Sequence, residues 1–236
     1  LCVKQTILEL SPQDAEAHSS VGTTLQELGR LEEAEKSHAQ AIALKPNFAE
    51  AYYNLGLTLQ QLGRLKEAEA NYNQAITLKP DFAIAHYNLG ITLQKLERLE
   101  EAETNYARAI AFKPDFAEAH SNLGITLKEL GRLEEAEKSY KQAIALKPDF
   151  ADAYYNLGIV FQQLSRLNEA AANYAQAIAL KSDYVEAHSN LGYALHQMGR
   201  LEEAEKSYRK TVALNPNYLS ARHMLAALTG ETTATA

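Results

Sequence analysis

Four histidines, at 18, 86, 120 and 188, and five asparagines, at 54, 88, 122, 156 and 190, fall into register when the chain is read in steps of 34 residues. These are side chains that could do chemistry, the imidazoles as metal ligands or bases and the amides as paired hydrogen-bond donors and acceptors. A shared metal would need several imidazole nitrogens within about 2 Å of one ion. Histidines at one position of successive helical repeats stand roughly a helix spacing, about 10 Å, apart, so their pattern excludes a common ion. Cys2 is the only cysteine and can build neither a disulfide nor a thiolate zinc site within this chain. No phosphate loop, dinucleotide fingerprint, nucleophile elbow or HExxH occurs in the sequence. A repeated surface also lacks the one unique pocket that catalysis uses. The segment reads as non-catalytic and without a cofactor.

The amides remain. An asparagine side chain matches the peptide group in offering one donor function and one acceptor, so Asn54, Asn88, Asn122, Asn156 and Asn190 in a row could hold an extended backbone without demanding a sequence. Tyr53, Tyr87 and Tyr155 precede three of them, and Ile91, Ile125 and Ile159 follow three residues after Asn88, Asn122 and Asn156, giving a stripe suited to a polypeptide. The alternative is that the asparagines bridge neighbouring helices. Seven carboxylates, Glu16, Glu27, Glu50, Glu118, Glu129, Asp152 and Glu186, oppose only Lys95 and Lys128 on this stripe. That balance favours a basic segment of a partner, and the acids at the second repeat position also suit helix N-termini as caps and dipole partners.

Prolines 12, 46, 80, 114, 148 and 216 set the frame that positions these residues, with Ser182 in the one vacant slot. A fixed period of this length implies a stacked repeat array. Six full repeats follow, 15–48, 49–82, 83–116, 117–150, 151–184 and 185–218. Residues 1–14 read as the second helix of a preceding repeat, 219–228 as a capping helix and 229–236 as a disordered tail. In repeat 117–150, Ala119, Leu123, Leu127 and Leu130 recur at helical spacing, and Leu133, Ala136, Tyr140, Ala143, Ile144 and Leu146 form a second set after Gly131-Arg132. The spacing predicts two antiparallel helices per repeat. Lys147 before Pro148 ends the second, and Asp115 with Glu118 reads as a capping pair opening the first. No segment alternates as a strand would. Outside the frame, Glu32 with Lys36, Glu134 with Lys138 and Glu202 with Lys206 read as solvated pairs on second helices. A glycine in mid-helix costs about 1 kcal/mol relative to alanine, yet it recurs at 22, 56, 90, 124, 158 and 192. Close approach of the second helix explains it, with the alanines at 34, 68, 102, 136, 170 and 204 as the expected facing residues.

Leu-Gly or Val-Gly at these glycines, alanine twelve residues on, an aromatic or His38 four later, alanine or Thr211 three later, and proline to close the frame resemble the tetratricopeptide repeat family. The resemblance covers nearly the whole chain. It departs where the family's early aromatic is His18, His86, His120 or His188. It implies an all-α solenoid, a right-handed superhelix of stacked helix pairs whose first helices line the concave face. The asparagine row is similar to the ladder with which the tetratricopeptide superhelix of O-GlcNAc transferases holds polypeptides. The segment ARHMLAALTGE, 221–231, resembles the join to a methyltransferase domain in some bacterial proteins. The expected function is a protein interaction scaffold binding an extended peptide or a partner helix. The alternatives are the recognition arm of a larger enzyme, or self-association through ends such as the face carrying Val3, Ile7, Leu8 and Leu10. The carboxylate-clamp ligands of the family are not expected, because positions two, five and six carry acids, Ser or Tyr, and Asn where that clamp needs cations.

Composition agrees with this reading. The 236 residues are 46% hydrophobic and 22% charged, with a formal charge of −7, which fits a folded chain and disfavours nucleic acid as the partner. No apolar run approaches a membrane span of about 18 residues, and the start lacks the pattern of a signal peptide, so the expectation is a cytoplasmic protein away from membranes. The chain begins with Leu1 rather than methionine, which suggests a piece of something longer.

Overall fold

The computed structural model describes residues 12–230 as thirteen α-helices. Among the described residues there is no strand. The six repeats are the pairs α1 (Ala15–Glu27) with α2 (Leu31–Leu44), α3 (Ala49–Gln61) with α4 (Leu65–Leu78), α5 (Ala83–Lys95) with α6 (Leu99–Phe112), α7 (Ala117–Glu129) with α8 (Leu133–Leu146), α9 (Ala151–Gln163) with α10 (Leu167–Leu180), and α11 (Val185–Gln197) with α12 (Leu201–Leu214). A last helix, α13 (Leu219–Thr229), packs on α12. The apolar face with Val3, Ile7, Leu8 and Leu10 lies outside the described residues. The chain forms two compact bodies that meet in sequence between Ala119 and His120, within α7. Each is an all-α stack of antiparallel helix pairs.

The turn inside each pair has one recurring cause. The Arg30 N–H reaches back to the Leu25 carbonyl at 2.9 Å and the Gly29 N–H to Gln26 at 3.0 Å, the paired bonds that close a helix through a left-handed residue. Gly29, Gly63, Gly131 and Gly199 hold φ between 73 and 77° there, while Glu97 and Ser165 occupy the same turn at φ 60 and 58°. The turn between repeats forms because the residue before proline is driven extended, as at Lys45 and Lys79 with φ of −137 and −139°.

Five helices start without the acidic cap that Asp115 with Glu118 suggests for repeat 117–150. Helices α3, α5, α9, α11 and α13 are preceded by Phe48, Phe82, Phe150, Tyr184 and Tyr218, with no side-chain capping bond. Asp14 alone among the described caps accepts from backbone N–H groups, those of Glu16 and Ala17 at 2.9 and 3.1 Å. In the later repeats the aspartate sits one place outside, and at Asp81, Asp115 and Asp149 its backbone carbonyl is what meets the helix. Where the fifth position is tyrosine, the aromatic before the next helix packs on it, Tyr53 on Phe82 at 5.1 Å and Tyr87 on Phe116 at 4.6 Å.

The glycine's facing residue differs from the sequence expectation. A Cβ on Gly56 would lie 2.7 Å from Tyr72 Cε1, and one on Gly158 would lie 2.6 Å from Tyr174 Cε1. The close approach is made by the aromatic ring, lying flat on the bare helix, and the buried alanines sit beside it. Tyr72, Tyr106, Tyr140 and Tyr174 are wholly buried this way.

Ion pairs form elsewhere than between Glu32 and Lys36 and their equivalents. Arg64 grips Glu67 in its own repeat and, through Nη1, Glu35 of the preceding one at 2.8 Å. Arg98 does the same with Glu101 and Glu69, and Arg166 with Glu169 and Glu137. Arg200 holds Glu203, but the place of its second partner is Ala171.

Candidate functional site

The structure commits part of the stripe to internal contacts. Tyr53 lies between the rings of Tyr72 and Phe82, at 6.0 and 5.1 Å, Tyr87 between Tyr106 and Phe116, at 6.0 and 4.6 Å, and Tyr155 between Tyr174 and Tyr184, at 5.9 and 4.8 Å. Burial pushes the Tyr53 hydroxyl up to about 12, against the opposing pull of its bond from Asn88. Such a tyrosine is a neutral wedge between helices.

Three of the five asparagines join one first helix to the next. Asn88 Nδ2 donates to Tyr53 Oη at 3.2 Å and to the Ile84 carbonyl at 3.0 Å. Asn190 Nδ2 donates to Tyr155 Oη at 3.2 Å, and Asn54 Nδ2 to Ser19 Oγ at 3.4 Å. At these three positions an N–H of the amide is used between repeats, and among the described residues Oδ1 carries no bond. Asn88 is buried, while Asn54, Asn122, Asn156 and Asn190 are half-buried. Ile91, Ile125 and Ile159 are half-buried too, the last two resting against the core that contains Leu157, Val160 and Phe161.

The acids of the stripe are less free than their count implies. Lys45 Nζ lies 3.4 Å from Glu16 and Lys79 Nζ 3.2 Å from Glu50. Asp152 accepts from the Tyr184 hydroxyl at 2.9 Å. The excess of carboxylates is therefore partly balanced by lysines that follow the second helix, which a count confined to first helices leaves out.

The histidines stitch turns. Nε2 of His18, His86 and His188 lies 3.1 Å from the carbonyl oxygen six residues earlier, on Pro12, Pro80 and Ser182. Among the described residues no group of His, Cys, Asp or Glu could hold a metal.

Two details escape a residue-type reading. The buried tyrosine of the second helix donates to the glutamine at position twelve of the first, Tyr72 to Gln60 at 2.8 Å, Tyr106 to Gln94 at 3.1 Å and Tyr174 to Gln162 at 2.9 Å. Tyr140 and Tyr208 have no such partner, since their repeats carry Lys128 and His196 there. A pocket of about 230 Å³ also opens in the last repeat, lined by Ser189, Asn190, Tyr193, Tyr208, Tyr218 and Met224 among others. Serine at 189, shared with Ser19 and Ser121, combined with Asn215 where the other repeats carry lysine, is the sequence signal for it.

Stacked pairs with this glycine, aromatic and proline frame define a helical repeat protein of the tetratricopeptide kind. Matches to the TPR repeat family span residues 22–63, 59–97, 95–131, 126–165 and 163–199, and the tetratricopeptide repeat matches 185–218. The chain belongs to the tetratricopeptide repeat family. It is similar to YrrB, whose crystal structure is described as that of a TPR protein with an unusual peptide-binding site, at 26% identity and a TM-score of 0.67 over 78% of this chain and 95% of that one. PilF of Pseudomonas aeruginosa shares the fold at 17% identity and a TM-score of 0.79, over 90% and 97% of the two chains. MamA shares it at 23% identity and a TM-score of 0.67, over 70% and 97%. No curated protein sequence matches the chain significantly. No helix of the described residues is long and apolar enough to cross a membrane.

Proposed function

We propose that this chain is a scaffold that binds an extended polypeptide along its first helices, without chemistry of its own. The observation that carries the reading is the half-used amide. Asn54, Asn88 and Asn190 each donate an N–H to the preceding first helix, which fixes each side chain and keeps its carbonyl oxygen as an acceptor. A ligand backbone would supply N–H donors to that row. The peptide-binding site named for YrrB supports the class of ligand. The refinement over a symmetric amide ladder is that at these three positions one N–H is already committed while the carbonyl oxygen stays available.

The test replaces Asn88, Asn122 and Asn156 together by alanine. Each lost hydrogen bond matters by about 0.5 to 1.5 kcal/mol, so affinity for a short unstructured peptide should fall roughly ten-fold to thousand-fold, measured by fluorescence anisotropy. Scrambling the peptide should change affinity far less. An unchanged affinity with a lowered melting temperature would assign the asparagines to inter-helix bridging alone.

A further inference from the structure

The sixth repeat brings together two departures, the first shared with other repeats and the second its own. At the fifth position, where Tyr53, Tyr87 and Tyr155 fill the room between two rings, it carries Ser189, as the first and fourth repeats carry Ser19 and Ser121, and the corresponding rings, Tyr208 and Tyr218, border the open pocket of about 230 Å³. Tyr208 is only 2% exposed, lines that pocket, and has a hydroxyl without a hydrogen-bond partner.

The second departure is a missing cation. In the five other repeats a lysine stands over the aromatic ring that precedes the next helix, with Nζ to ring centre 4.7 Å at Lys45 and Phe48, 4.7 Å at Lys79 and Phe82, 4.9 Å at Lys113 and Phe116, 4.8 Å at Lys147 and Phe150, and 4.6 Å at Lys181 and Tyr184. In the first two repeats the same lysine also pairs with the acid at the second position. The sixth repeat keeps the ring, Tyr218, and the acid, Glu186, but has Asn215 in place of lysine. Asn215 turns its Oδ1 to the Asn217 N–H at 3.0 Å. Among the described residues Tyr218 therefore has no lysine over its ring, and Glu186 has no ion pair. In the first two repeats one lysine reaches both the acid and the ring, and Glu186 and Tyr218 hold the corresponding places.

We propose that the sixth repeat is a receptor for one lysine or arginine side chain of the bound polypeptide. The alkyl stem takes the room left by the absent tyrosine, against Met224 and Tyr208, as long cationic side chains do on apolar surface. The charged head meets the Tyr218 ring and the Glu186 carboxylate, with Tyr208 Oη and Asn190 Oδ1 as further acceptors for its N–H groups. No positive side chain lines the pocket. The inference rests on the groove reading only for how the side chain arrives, since the groups that would meet it lie in the sixth repeat, at its end and on α13.

The test uses three blocked peptides identical but for lysine, norleucine or phenylalanine at one position, with the full chain, Asn215→Lys and Ser189→Tyr. Each substitution installs what sibling repeats already carry. The lysine peptide should bind the native chain about two- to thirty-fold more tightly than the norleucine peptide, and that preference should vanish in both variants at unchanged melting temperature. Parity in the native chain, a preference that survives Asn215→Lys, or strongest binding of the phenylalanine peptide would overturn the proposal. In a second arm N-acetyl-lysine methylamide alone is titrated into the native chain by NMR. Shifts at Tyr218 and Ser189, absent with the norleucine analogue and in Asn215→Lys, support the site even where no peptide binds, and their absence overturns it. The triple asparagine variant should weaken all three peptides alike, so failure of the groove and failure of the receptor give different patterns.

Discussion

Replacing Gly158 by alanine tests the packing rule on which every repeat depends. The new Cβ would lie 2.6 Å from Tyr174 Cε1 and 2.7 Å from Cδ1, inside any ordinary contact, so the ring must move. The ring is wholly buried and its hydroxyl is bonded to Gln162 Oε1 at 2.9 Å. Alanine recovers about 1 kcal/mol of helix propensity. Against that stand about 1 to 3 kcal/mol of overpacking and about 0.5 to 1.5 kcal/mol if the tyrosine bond breaks. The net expectation is a loss of about 2 kcal/mol. Gly124→Ala is the comparison: its Cβ would lie 2.9 Å from the Tyr140 ring, and the Tyr140 hydroxyl has no partner to lose. That variant should cost less than about 1 kcal/mol, since the ring can shift without breaking a hydrogen bond. Urea denaturation followed by circular dichroism reads both, through midpoints, because neighbouring repeats unfold as coupled units. A neutral or stabilised Gly158→Ala, or a larger loss at Gly124, would refute the account.

Two further outcomes follow from single residues. His38 stands where the other repeats have tyrosine, fully buried with neither ring nitrogen bonded, and burial pushes its imidazole down to about 4. The unfolded chain protonates near 6.5, so as pH falls the unfolded state takes the proton first. Stability is full above about 6.5 and should decline toward pH 4 by about 3 kcal/mol; His38→Tyr should flatten that decline in denaturation midpoints measured from pH 7 to 4. Glu97 holds φ 60° in a turn that uses glycine in four other repeats. A left-handed non-glycine residue costs about 1 to 2 kcal/mol, part of which glycine returns through unfolded-state entropy, so Glu97→Gly should stabilise by about 0.5 to 1 kcal/mol, with an unchanged thermal midpoint counting against it.

The helix pairs were legible because proline, glycine and apolar spacing all repeat in one frame. Periodicity identifies the face on which a residue lies, but not which neighbour it touches. For that reason the glycines were legible as points of close approach while their partner, an aromatic four residues beyond the expected alanine, was not. The same limit applies to the asparagines: a spacing of 34 places Asn88 over the preceding helix without revealing that Tyr53 receives its N–H. Asp115 with Glu118 satisfies the local capping pattern, but the pattern does not show that before five other helices an aromatic holds the cap position without a side-chain bond. Asparagine at 215 stands where the other five repeats carry lysine, but such a change gains meaning only when the rings around it are in view.

The arginine clasps between repeats have a consequence for how the stack comes apart. Arg64, Arg98 and Arg166 each tie the turn of one repeat to the second helix of the one before. An array of near-identical links responds to strain at its weakest joint, and Ala171 removes the clasp between the fifth and sixth repeats. The junction between the fifth and sixth repeats therefore rests on helix packing where three other junctions add an exposed ion pair, worth up to about 1 kcal/mol. Raising the salt concentration should weaken those three junctions and leave this one unchanged.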